Sequence, residues 1–276
     1  FVSQSNHKVT IFWIFIDESQ GASVTINVLT FHGFYDPVIG VDDDHDFIPS
    51  STLEKIIKAS TKAHFLLVDP TSVPRSGDTQ RSLMLTFDDG LESCHRIALP
   101  VLSKYAVSGL FFIIPQKIGM PGFMSQSDIE DLIASGHTIG SHSLNHLDLT
   151  SISTVDAKAE IQTSKEILEE RFNVTIDSFS FPFGKYNKTL IKICYDVGYR
   201  HVYTSVCGVN KSLEVQYIKR NNIYNNISDT TLLRYLNQPL GFRLGVQVRY
   251  FGIYVIKKLV GDHCYRSLRN GILRGR

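Results

Sequence analysis

Between residues 24 and 240, short apolar runs alternate with longer stretches whose apolar positions recur every three or four residues. The short runs, at 24–31, 83–87, 110–114, 138–141, 178–181, 201–204 and 215–218, have the length and the β-branched or aromatic content of buried strands. The longer ones, at 51–60, 91–105, 127–135, 154–172, 188–197 and 230–236, predict helices. Ser127 with Glu130 has the spacing of a capping box, and Thr154 stands as the N-cap of a further helix. Alternation at this spacing predicts an α/β fold of parallel strands with helices outside, either a barrel or a doubly wound sheet. In both, reactive residues collect at the C-terminal ends of strands.

A further apolar run, residues 9–16, falls well short of the ~20 residues that cross a bilayer. Its β-branched content reads as a buried strand, with the end of a signal or anchor as the other reading. With 43% hydrophobic and 20% charged residues, disordered and collagen-like chains are excluded. Lys+Arg 28 against Asp+Glu 27 excludes a nucleic-acid partner recruited by bulk charge. The charge is uneven, however. Residues 241–276 hold eight basic residues against Asp262 alone, leaving 20 basic and 26 acidic residues, a balance of −6, before them. With Pro239-Leu240-Gly241 as punctuation, the chain divides into an N-terminal extension (1–23), a main α/β domain (24–240) and a basic amphipathic segment (241–276). That last segment reads either as a peripheral contact with an anionic membrane or as a cover for the acidic body. The four cysteines form no CxxC pair, so a zinc ribbon is excluded.

Two strand ends carry chemistry. Leu83-Met84-Leu85-Thr86-Phe87-Asp88-Asp89-Gly90 closes on adjacent carboxylates, and Gly140-Ser141-His142-Ser143-Leu144-Asn145-His146 closes on two histidines four apart. That spacing places two imidazoles on one face of a helical turn, where both reach one cation. Two histidines and one carboxylate leave coordination positions open, as a catalytic rather than a structural zinc requires.

Thr86-Phe87-Asp88-Asp89-Gly90 and His142-Ser143-x-x-His146 resemble the first two motifs of the polysaccharide deacetylases, the family 4 carbohydrate esterases, and Ser180-Phe181-Pro182-Phe183-Gly184 looks like their third. The resemblance spans about residues 26–225. Leu29-Thr30-Phe31-His32 is similar to the opening strand of the branch acting on exopolysaccharides. It implies a distorted (β/α) barrel of about seven parallel strands, and a metal-dependent hydrolase removing acetyl groups, N-acetyl before O-acetyl, from a polysaccharide or its lipid-linked precursor. Asp89, His142 and His146 would bind one divalent metal, zinc ahead of cobalt or nickel. Asp88 would be the general base, and the Phe183 peptide N–H would face the developing oxyanion.

The chain also departs from that pattern. Ser180 stands where the family often has an arginine that orients the base, and Arg220 is the candidate to replace it. No histidine lies between His201 and His263, so the family's late acid has no match and His32 is the candidate general acid. The fourth motif, which usually includes a tryptophan, is missing, since Trp13 is the only one. These departures keep a second reading open, a catalytically weak or inactive glycan-binding protein on the same fold. The partner that the resemblance implies is an acetylated glycan and not a nucleic acid; the expected location is the cell envelope or the cytoplasmic face of a bacterial membrane.

Overall fold

The computed structural model describes residues 25–35, 47–73 and 81–224, with 227, 230, 232 and 236 beyond them. The apolar run 9–16, the segment 241–276 and most of the predicted helix 230–236 lie outside the described residues.

The described chain runs β1 (Thr25–Phe31), β2 (Gly33–Tyr35), β3 (Phe47–Pro49), α1 (Ser50–Lys62), β4 (Leu66–Leu67) and β5 (Arg81–Phe87). A π-helical stretch (Cys94–Ala98) leads into α2 (Leu99–Lys104), followed by β6 (Leu110–Ile113), α3 (Gln126–Ala134), β7 (Thr138–Ser141) and α4 (Thr154–Phe172). Then come β8 (Ser178–Ser180), α5 (Lys188–Val197), β9 (His201–Tyr203), β10 (Val209–Asn210) and β11 (Asn221–Asn222).

The main sheet has the order β10-β1-β5-β6-β7-β8-β9. The pairs from β1 to β9 along this path are parallel, the longest joining β1 to β5 from Thr25↔Arg81 to Phe31↔Phe87. The sheet curls, and residues 218–222 span the gap between its edges. Ile218 bridges Tyr203 in parallel, and β11 pairs in parallel with Leu29 and Thr30 of β1. Of the two α/β arrangements that the alternation predicts this is the barrel, in the distorted form that the resemblance implies. The strand expected at 215–218 contributes a single bridge instead, because the chain turns Arg220 into the barrel before pairing resumes at Asn221.

Alternation along the strands separates two cores. Leu29, Phe31, Leu85, Phe87 and Phe111 pack outward under the helices, with Phe87 stacked on Phe31 (5.3 Å) and on Phe111 (4.4 Å). Ile26, Val28, Met84, Leu110, Phe112, Tyr203 and Ile218 fill the interior. Gly140 occupies an interior position where a Cβ would lie 2.8 Å from the Phe112 ring and 2.9 Å from the Ser178 carbonyl oxygen. Only a residue without a side chain lets β7 approach its neighbours there.

Local chemistry shifts several expected boundaries. The capping box is Ser125 with Asp128 rather than Ser127 with Glu130, and Ser153, not Thr154, caps α4. In both cases the serine two or one positions earlier already accepts the orphan N–H of the first turn, so the predicted cap falls inside the helix. The helix expected at 91–105 widens into the π stretch just before Pro100, which has no N–H to give to the carbonyl four residues back.

Candidate metal centre and active site

Interior parity places the candidate residues before any of them interact. Continuing Ile26–Val28 by twos reaches His32, continuing Met84 reaches Thr86 and Asp88, and continuing Gly140 reaches His142. The C-terminal strand ends therefore turn one ring, one carboxylate and a second ring toward the same mouth.

Asp88 is buried and ends on Arg220, itself 1% exposed. Nη1 donates to Asp88 Oδ1 at 2.7 Å and Nη2 to Oδ2 at 2.8 Å, a bidentate pair. The remaining guanidinium donors are also committed: Nη2 to Ser180 Oγ (2.8 Å), Nε to the Thr204 carbonyl (3.1 Å) and Nη1 to Thr86 Oγ1 (3.3 Å). The guanidinium lies 5.4 Å from the Phe112 ring centre and 6.0 Å from that of Tyr203, the top of the interior apolar core. Burial by itself would raise the Asp88 carboxyl, but Arg220 and the imidazoles of His142 and His32 outweigh it and hold the carboxyl below its ordinary value. Asp88 is thus an oriented, ionised carboxylate.

Asp89 turns the other way. Its φ of 73° and that of Gly90 (69°) are left-handed, so the backbone reverses directly after β5 and presents both neighbouring carboxylates to one cleft. Asp89 Oδ1 lies 3.3 Å from His142 Nε2 and 3.2 Å from His146 Nε2. These are ion-pair distances without hydrogen-bond alignment, and this buried oxygen has no hydrogen-bond partner among the described residues. His142 Nδ1 lies 2.8 Å from the Ser180 carbonyl oxygen and donates to it, so in the neutral ring Nε2 is the lone pair that faces Asp89. Burial pushes against charge on both groups, yet the imidazoles hold Asp89 well below the carboxylate range, and Asp88 and Asp89 lift His142 above the usual value. Three ligand atoms, all within 4.8 Å of one another, converge on this buried carboxylate oxygen. The donor set and the orphaned oxygen fit a divalent cation.

The His142–His146 pair is not on a helix, as the four-residue spacing suggests. Ser143 and His146 both have φ of 61°, and the loop folds the two rings to a centroid distance of 5.0 Å without a helical turn. Phe183 is left-handed as well (φ 58°), 61% exposed, and packs its ring against His146 at 4.6 Å. His32 follows β1 beside Asp88, whose N–H donates to the Phe31 carbonyl; its Nδ1 is buried and has no partner among the described residues. Sequence reasoning missed Glu160, a buried α4 carboxylate that binds the loop carrying His146. Its only sequence signal is an acid on the helix following the His-rich loop, among several solvent-facing ones.

A family model described as polysaccharide deacetylase matches residues 75–202. Among curated proteins, the peptidoglycan-N-acetylmuramic acid deacetylase PdaA of Bacillus subtilis (strain 168) is 28% identical over 147 residues, covering 51% of this chain and 53% of its own. The chain spans about half the length of the curated relatives it matches. Among solved structures, the Streptococcus pyogenes deacetylase PplD in complex with acetate aligns with a TM-score of 0.68 at 20% identity, over 78% of this chain and 99% of that one. IcaB from Ammonifex degensii aligns with a TM-score of 0.66 at 20% identity, over 79% and 97%. At this identity the two structures establish the fold.

Proposed function

We propose, on the premise that residues 75–202 make this chain a relative of the polysaccharide deacetylases, that it hydrolyses acetyl groups from a polysaccharide or its lipid-linked precursor, N-acetyl before O-acetyl. The observation that carries this reading is the buried Asp89 Oδ1, without a hydrogen-bond partner among the described residues and facing two imidazole nitrogens, beside a carboxylate that Arg220 keeps ionised.

Asp89, His142 and His146 would hold one divalent ion; two imidazoles and a carboxylate suit zinc, and cobalt or nickel fit the same donors. Bound there, the ion would lower the pKa of its water towards ~7 and polarise the acetyl carbonyl. Asp88 takes the proton of the attacking water on a carboxylate lone pair that its bonds to Arg220 and Ser180 leave open, while the bidentate pair fixes the orientation of the carboxylate. The Phe183 peptide N–H, in a turn buttressed by His146, donates to the oxygen that gains charge as the acetyl carbon becomes tetrahedral. His32 returns a proton to the departing amine. Its buried, unpartnered Nδ1 and its influence on both carboxyls support that role.

The strand Leu29-Thr30-Phe31-His32 supports an exopolysaccharide as substrate, and the basic segment 241–276 supports a peripheral contact with an anionic membrane where lipid-linked glycans are handled. Sedimentation with anionic and neutral vesicles at low salt tests that contact: binding to the anionic ones supports it, and a chain left in the supernatant with both overturns it. The activity is tested by acetate release from an N-acetylated chito-oligosaccharide. Release that a chelator abolishes and zinc restores supports the enzyme, whereas glycan binding without release under any divalent ion supports the non-catalytic reading.

A further inference from the structure

The hairpin of chain that carries both histidines is held by a side chain outside the reaction. Glu160, on α4, is 7% exposed. Its Oε2 accepts the peptide N–H groups of Leu144 (3.1 Å) and Asn145 (2.9 Å), and its Oε1 accepts the Asn145 side-chain amide (2.6 Å). The flanking N–H groups are committed too: that of His142 to the Ile113 carbonyl and that of His146 to Ser143 Oγ. On its other side the Leu144 carbonyl accepts the Gln116 N–H. The loop between the two imidazoles is therefore clamped between a helix and a strand-end loop, although it contains two left-handed non-glycine residues that cost energy to hold. A carboxylate with three N–H donors and no cation among them suits this task, because acceptor-only oxygens match donor-only partners.

We propose that Glu160 is a positioning residue that sets the separation of His142 and His146, and through it the affinity of the site for a divalent ion. The inference rests on the reading of Asp89, His142 and His146 as a metal site, and groups that orient ligands in this way are worth ~10–100-fold in affinity. In Glu160→Gln the negative charge that holds three N–H donors is lost and one oxygen becomes an N–H₂ group, so the Asn145 amide must turn over or lose its acceptor, at almost unchanged volume. Asn145→Ala removes one clamp bond and leaves the carboxylate in place.

The test is competition titration of the metal-free full chain with zinc, together with the visible absorption of the cobalt-loaded protein. Expected are zinc binding ~10–100-fold weaker and an altered cobalt spectrum in Glu160→Gln, with a smaller loss of the same sign in Asn145→Ala. Folded Glu160→Gln, or, should it not fold, folded Asn145→Ala, binding zinc within twofold of wild type with an unchanged cobalt spectrum overturns the role of Glu160. A wild-type chain that binds no zinc or cobalt overturns the metal-site reading itself.

Discussion

Asp88 and Asp89 are adjacent in the chain, yet they end in opposite electrostatic situations. Asp88 meets a fully buried arginine that satisfies both of its oxygens, with Ser180, Thr86 and Thr204 taking up the remaining donors. Asp89 meets only two imidazoles, one of which has already spent its hydrogen on the Ser180 carbonyl. One half of the site is completed by protein; the other is complementary to a cation. The contrast teaches that two carboxylates at one strand end divide their roles by what faces them across the barrel. Ser180 belongs to both halves, with its hydroxyl on the Arg220–Asp88 side and its carbonyl on the His142 side.

The largest effect is expected from Asp88→Asn. This change leaves the Asp89–His142–His146 donors in place, so metal binding is retained while acetate release falls ~10²–10⁴-fold. Loss of both together would merge the two halves and break the comparison.

Arg220→Met comes next. It removes the guanidinium that pairs bidentately with Asp88 and leaves a buried charge, a change that costs ~3–5 kcal/mol of stability, read as the shift of a denaturant midpoint at constant slope. The wild-type Asp88 carboxyl is held below its ordinary value of 3.8. Its contribution to stability is therefore fully present above that pH and lost as the pH falls through the depressed value. Without Arg220 only the imidazoles of His142 and His32 oppose the burial effect, so the carboxyl moves up and the acid limb of the rate profile moves to higher pH. An acid limb unchanged in Arg220→Met would assign that limb to another group.

Ser180→Ala gives the smallest change. It removes the 2.8 Å bond to Arg220 and the 3.3 Å bond to Asp88 but spares the bidentate pair and the backbone carbonyl on His142. About 1 kcal/mol of stability and a several-fold loss of rate are expected, with unchanged zinc affinity. Weaker zinc binding in this variant would show that the hydroxyl serves the metal half as well.

Much of this site is legible in the sequence because strand ends are legible: an apolar run that stops at Asp88-Asp89 or before His142 fixes both location and facing by its period of two. Ser180 could be seen as a departure. The residue that answers it could only be guessed, since Arg220 lies on a closing segment with one bridge at Ile218 and a two-residue strand, too short for periodicity to detect. The His142–His146 spacing suggested a helix, whereas two left-handed residues and the Glu160 clamp produce the same proximity by a loop. Such long-range polar contacts leave no periodic trace. The Pro100 π stretch was concealed for a different reason, because a widened turn keeps the helical spacing of its apolar positions.

The central claim, that the Asp89 half needs a cation and the Asp88 half does not, is tested most directly by titrating the metal-free chain with zinc in a calorimeter, beside Asp88→Asn and His142→Ala. The account predicts one zinc per chain in wild type and in Asp88→Asn, and none in folded His142→Ala. Stoichiometric zinc in His142→Ala, or none in wild type, would contradict it.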